Sequence, residues 1–127
     1  MATINPVTTG AVSANYDSEN DLTVVAVAGG TTANYQYYRF TPVKLRNDST
    51  SSSIQIAEFD FLNGGALVDL TGVTVTNPGG SSPTAETVDK LIDGSAATKW
   101  LDYNKNPVVF AFPSATSISG YRFTTAN

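Results

Sequence analysis

The sequence predicts an all-β protein, and three observations carry that expectation. Charged residues make up only 14% of the 127 residues, and their place is taken by Thr, Ser, Asn and Gly. Long charged side chains favour helices, whereas Thr and the β-branched residues favour strands. Short runs alternate apolar and polar positions, as in Tyr37-Tyr-Arg-Phe-Thr41 and Gly120-Tyr-Arg-Phe-Thr-Thr125. Turn signals punctuate them at Gly29-Gly30, Asn63-Gly-Gly65, Asn77-Pro-Gly-Gly80 and Asp93-Gly94. A chain of this length fits one domain and buries roughly two-thirds of its unfolded surface.

Residues 1–36 differ in texture from the rest. They hold one acidic patch (Asp17, Glu19, Asp21) and one convincing strand, residues 22–28, closed by Gly29-Gly30. Their apolar content is too thin for a separate core, so they read as an extended N-terminal arm that serves anchoring and assembly. Residues 37–127 read as the β-module. Tyr38 and Phe40 share one face of the first strand, with Arg39 opposite, and Pro42 limits further ladder pairing. In residues 53–61, Ile54 and Ile56 fall on one parity but Phe59 and Phe61 on the other. A bulge near Ala57-Glu58 reconciles them, because a one-residue slip moves every later side chain to the other face.

A weaker strand is expected over residues 68–76, with Val73 and Val75 alternating. Residues 83–93 form the sole helical candidate, of one or two turns at most: Val88, Leu91 and Ile92 are spaced i, i+3, i+4, with Pro83 to open the turn and Gly94 to close it. Residues 108–112 and 119–125 are strong strands. The tetrapeptide Tyr-Arg-Phe-Thr occurs at both Tyr38 and Tyr121, which reads as two strands in similar environments and not as a duplicated module.

The charge pattern excludes several function classes. The net charge is −4 and the seven basic residues are scattered, which is no footprint for nucleic acid. No apolar run approaches the roughly 20 residues needed for membrane insertion. The first residues, Met-Ala-Thr-Ile-Asn-Pro, lack the basic and apolar regions of a signal peptide. There is no Cys and no His, so disulfides, thiol catalysis and Cys/His zinc sites are out, and any metal must be held by oxygen, as calcium is. Nothing in the spacing of Glu58, Asp60, Glu86, Asp93 and Asp102 singles out a glycosidase-type carboxylate pair, so no enzyme is expected.

The order of the pieces carries a resemblance. Tyr38-Arg-Phe-Thr comes first, then Ile54-Gln-Ile-Ala-Glu-Phe-Asp-Phe-Leu62 and Asn77-Pro-Gly-Gly80. Leu91-Ile-Asp-Gly-Ser-Ala-Ala-Thr-Lys-Trp-Leu-Asp102, Val108-Val-Phe-Ala-Phe112 and Gly120-Tyr-Arg-Phe-Thr-Thr-Ala126 follow. From about residue 37 onward this resembles the discoidin family, the coagulation-factor type C modules, in the variant seen in phages and large DNA viruses. The resemblance implies a galactose-binding-like jelly-roll sandwich, here incomplete at its C-terminal end, with an open sheet edge beyond residues 120–126 that invites self-association. It also implies a structural calcium near Asp93, with Ser95 and Thr98 adding oxygens. Ser95 stands where that family usually has Asn.

Read from the residues alone, Asp93-Gly94 is a turn packed under Trp100, and Trp100 sits in an alternating apolar context that favours core packing. The polar tip Tyr103, Asn104, Lys105, Asn106 is the candidate ligand site, an aromatic edge with hydrogen-bonding neighbours. Together these readings lead to a non-enzymatic, homo-oligomeric virion protein, a component of a phage tail fibre or appendage. It would bind other virion subunits through the arm and a host-surface glycan through the module. Capsid decoration, a carbohydrate-binding module of a secreted enzyme and a ligand-free scaffold are the competing classes.

Overall fold

The computed structural model describes residues 2–3, 12–17, 22–27, 33–45 and 49–126, and it is all-β. The strands are β1 (Ala2–Thr3), β2 (Val12–Asp17), β3 (Leu22–Val27), β4 (Ala33–Phe40), β5 (Ile54–Asn63), β6 (Ala66–Leu67), β7 (Thr74–Thr76), β8 (Trp100–Asp102), β9 (Val108–Ile118) and β10 (Gly120–Thr125). They form two sheets in a sandwich-like arrangement. One runs β1-β4-β9-β7; the other runs β2-β3-β10-β5-β6, with β8 also paired to β5. Every pairing is antiparallel except the short contact of β1 with β4.

Side chains alternate as the pleat requires. Tyr38, Phe59, Phe61, Phe110, Phe112 and Trp100 point between the sheets and are buried. Phe59 is the hub of this core. Its ring stacks on Tyr121 at 5.4 Å and 8°, and it meets Phe110 at 5.0 Å, Phe61 at 5.2 Å and Phe40 at 5.2 Å. Aromatic pairs at such offsets each add about 0.5–1.5 kcal/mol beyond the area they bury.

The bulge sits where the Ile/Phe parity places it. Thr125 pairs with Ile56 and Thr124 with Glu58, so Ala57 opposes no residue of β10. Ile54 and Ile56 face the core before it, and Phe59 and Phe61 face the core after it. Glu58 and Asp60 are thereby turned to the outer face, where Arg122 Nε lies 2.7 Å from Asp60 Oδ2 on the neighbouring strand.

A larger irregularity lies in β9. Tyr35 pairs with Thr116 but Tyr37 with Ala111, so β9 carries extra residues around Pro113-Ser-Ala115 opposite Gln36. Pro113 has no N–H to lose from the ladder there. The buried Tyr38 hydroxyl closes the gap: it accepts from Tyr35 N at 3.0 Å and donates to Thr116 O at 2.5 Å. Ser119 then bends the chain, and β10 continues in the other sheet.

Several expectations need correction. Residues 83–93 form no α-helix; the helical part is a single 3₁₀ turn, Val88–Ile92. Before it Pro83–Glu86 closes a turn of its own, with Glu86 N bonded to Pro83 O at 3.0 Å, and Glu86 O accepts from Leu101 N at 3.0 Å instead of continuing a helix. The apolar spacing still holds, since Leu91 is fully buried and Val88 and Ile92 pack against the same core. Of residues 68–76 only Thr74–Thr76 is strand, because Asp69 forms a local turn with Thr71, its Oδ1 accepting from Thr71 N at 2.9 Å. The strand expected over residues 108–112 runs on to Ile118.

The edge expected to stand open at residues 120–126 is covered. β10 is paired along its length with β3 on one side and β5 on the other. Residues read as an arm therefore enter the six-stranded sheet through β2 and β3, and the boundary drawn at residue 36 falls inside β4.

Deleting Ala57 should abolish cooperative unfolding, because Phe59 and Phe61 would then turn outward. Ala57→Gly, which keeps the extra residue, should cost only about 1 kcal/mol. Urea melts followed by circular dichroism distinguish the two; equal losses would refute the bulge as the determinant of register.

Candidate functional site

The segment from Asp93 to Asn106 joins two loop clusters through the short strand β8. Trp100, in the middle, pairs with Ile56 and is fully buried, so it belongs to the core as its context suggested. Its indole Nε1 has no hydrogen-bond partner among the described residues.

The first cluster gathers Asp93, Ser95 and Thr98, the three residues proposed for calcium, and adds Glu58. Gly94 has φ +76, which lets the chain reverse after Asp93. Ser95 N is shared between Glu58 Oε1 at 2.7 Å and Asp93 Oδ1 at 3.0 Å. Thr98 Oγ1 lies 2.9 and 2.7 Å from the two Asp93 oxygens and 2.9 Å from Ser95 O, so one hydroxyl proton serves three acceptors. Lys90 Nζ stands 3.7 Å from Asp93 Oδ2. Lys99 Nζ donates to Gln55 Oε1 at 2.7 Å, fixing the end of the loop to β5.

Of the two carboxyls, Glu58 is the one that holds a proton more readily. Burial, together with the neighbouring Asp93 and Asp60 charges, pushes Glu58 up to about 7 despite the Ser95 amide. Burial would raise Asp93 as well, but hydrogen bonds from Thr98, Glu58 and Ser95 and the Lys90 charge hold it below its usual value. The oxygens are thus engaged by donors of the same loop. Calcium takes about 6–8 oxygens, and among the described residues no group of three acidic side chains stands ready to hold a metal. An ion here would have to displace these hydrogen bonds.

The second cluster is built on Asp102, whose side chain is fully buried. Its Oδ1 accepts from Ser81 N at 2.6 Å and Asn104 N at 3.1 Å, and its Oδ2 accepts from Asn106 N at 2.7 Å. Lys105, between the last two donors, has φ 55. That left-handed residue turns successive N–H groups toward one point, which makes a backbone nest for an anion. Here the anion is the chain's own carboxylate. Across from it, Asn77-Pro-Gly-Gly80 forms a type II turn, with Gly79 at φ +73 and Gly80 N bonded to Asn77 O at 3.1 Å. A side chain at position 80 would strike Asn77 Oδ1, which explains the second glycine.

The four residues proposed for ligand binding lie together on this second cluster, but three of them also brace it. Asn104 Nδ2 donates to Gly79 O at 2.8 Å, Asn106 Nδ2 to Pro78 O at 3.3 Å, and Lys105 Nζ to Ser51 O at 2.7 Å. Tyr103 is different: its amide is tied to Ser81 O at 2.9 Å while 53% of the residue is exposed. The outcome is an aromatic ring presented on a rigid loop. Glu58 and Asp102, which set the geometry of the two clusters, were not among the residues proposed as sites.

A scan against protein-family models finds no match, and searches of the curated proteins and of the solved structures return none. The resemblance to discoidin modules therefore rests on the quoted segments alone.

Asp102→Asn places an amide donor against backbone donors and should cost about 2–3 kcal/mol. Faster amide exchange at Ser81, Asn104 and Asn106 should accompany the loss; unchanged exchange there would refute the hub role. The Glu58 proton gives a second test. Its pKa is raised above the ordinary 4.5 to about 7 in the folded chain, so its contribution to stability is fully present below about pH 4.5 and is lost as pH rises through about 7. In chelator-treated buffer, wild type should lose stability between about pH 5 and about pH 8, and Glu58→Gln should flatten that slope. An equal slope in both proteins would refute the upward shift of Glu58.

Proposed function

We propose that this chain is a non-enzymatic structural and adhesive protein of a virus particle, a component of a phage tail fibre or appendage, whose β-module contacts a surface glycan through the Tyr103 loop. One observation carries the adhesive part: Tyr103 is exposed on a loop whose backbone is fixed by Asp102 from three amides. A ring held in place stacks on the C–H face of a sugar without first losing conformational freedom, and that preorganisation favours binding. The virion part is supported by the charge-poor, Thr/Asn/Gly-rich composition and by the phage variant of the discoidin resemblance. In this reading residues 1–36 contact other virion subunits, and the protein acts as a homo-oligomer outside the cell. Calcium at Asp93, Ser95 and Thr98 would have to displace the donors that those oxygens now hold.

Glycan-array binding of wild type and Tyr103→Ala, each with and without a chelator, tests both ligand claims. A glycan bound by wild type and at least tenfold more weakly by Tyr103→Ala, equivalent to about 1.4 kcal/mol, is expected; binding indifferent to Tyr103 would overturn the loop assignment. A melting temperature unmoved by the chelator would dismiss calcium. Copy number in purified particles separates a fibre, in small multiples of three, from capsid decoration in tens to hundreds.

A further inference from the structure

The outer face of the four-stranded sheet is carried by β4, β9 and β7. Two cross-strand rows are set by the register: Tyr37, Ala111 and Thr74 form one, and Arg39, Val109 and Thr76 the other. All six lie at outward positions, because Tyr38, Phe110 and Val75 between them point into the core. Tyr37 is 45% exposed, and Thr74 and Thr76 are exposed at the far side. The floor between is made of Ala111 and Val109, which are small and uncharged. With strands about 4.8 Å apart, the shelf from Tyr37 to Thr74 is roughly 10 Å wide, and its rows are about 7 Å apart along the strands.

The chemistry of this shelf selects among partners. No carboxylate stands at the six positions although the chain carries a net charge of −4, and Arg39 is their one cation. A single cation is too little for a nucleic-acid backbone or an anionic membrane. The apolar floor of two small residues is too thin for the core of a standard protein interface, about 800 Å² per partner. A saccharide needs what is here: an aromatic ring for its C–H face, a flat uncharged floor, and hydroxyl groups for its rim.

We infer that this sheet face, centred on Tyr37, Thr74 and Thr76, is a second saccharide-binding surface, separate from the Tyr103 loop. It rests on the carbohydrate reading of the protein but not on that loop. The six positions lie on β4, β7 and β9, whereas Tyr103 follows β8 in the other sheet.

The test is affinity electrophoresis of the full chain through gels containing neutral or uronate-bearing polysaccharides. Wild type is compared with Tyr37→Ala, Tyr37→Phe, Tyr37→Leu, the double change Thr74→Val with Thr76→Val, and Tyr103→Ala, each with its melting curve. Stacking predicts that Tyr37→Ala and Tyr37→Leu bind at least tenfold more weakly while Tyr37→Phe keeps its affinity, and that the double threonine change weakens binding several-fold. Wild-type retardation of Tyr37→Ala overturns the inference; if Tyr103→Ala alone loses binding, the loop reading stands and this one falls. Absence of retardation of wild type on every polysaccharide overturns both. A concentration-dependent dimer that Tyr37→Ala dissolves would reassign the face to a second copy of the chain.

Discussion

One unpaired residue, Ala57, decides which side of β5 faces the core. Before it the strand buries isoleucines, and after it the strand buries phenylalanines. Because side-chain direction in a strand has a period of two, no gradual adjustment could achieve this. The inward turn places Phe59 in its aromatic surroundings and supplies the centre of the sandwich. The matching outward turn delivers Glu58 to the Asp93 loop and Asp60 to Arg122. Core and candidate site are therefore two consequences of the same insertion.

The two loop clusters solve opposite electrostatic problems. At Glu58 and Asp93, two carboxyls meet around the Ser95 amide, and their titrations are pushed apart, Glu58 upward and Asp93 downward. At Asp102 a single carboxylate is buried, and backbone amides replace the water it has lost. Burial of an unpaired charge is costly, so the positive φ of Lys105 is the smaller penalty. The short strand β8 links these two arrangements, and Trp100 fixes that strand in the core.

Much of the fold was legible in the chain, because period-two alternation is a local property. The parity change between Ile56 and Phe59 located the bulge, and Leu91 was recognisable as core from its spacing. β2 was harder. Val12, Ala14 and Tyr16 do alternate, but Ser13, Asn15 and Asp17 between them read as a polar, acidic stretch. Pro113 hid the second half of β9 because a proline ordinarily argues against a strand, and only the bulge opposite Gln36 accommodates it. The helical turn occupies only Val88–Ile92 of the segment, because Glu86 is engaged by Leu101, 15 residues on, a contact the local spacing does not reveal. The Asp102 hub was invisible for the same reason: Ser81, one of its donors, is 21 residues upstream. Asp93, Ser95 and Thr98 lie close along the chain and were legible as a group, but the carboxyl that joins their cluster comes from β5.

The passage from β9 to β10 has a mechanical consequence. A nearly continuous stretch from Val108 to Thr125 is stitched first into one sheet and then into the other, with Ser119 at the crossing bonded to Leu62 O at 2.8 Å through its N–H. The layers cannot slide past one another unless this strand is torn from both ladders at once. Tension applied along it loads many hydrogen bonds in shear instead of opening them one by one. The extra residues around Pro113 add a short reserve of length, held closed by the Tyr38 hydroxyl, that can extend before either ladder is strained.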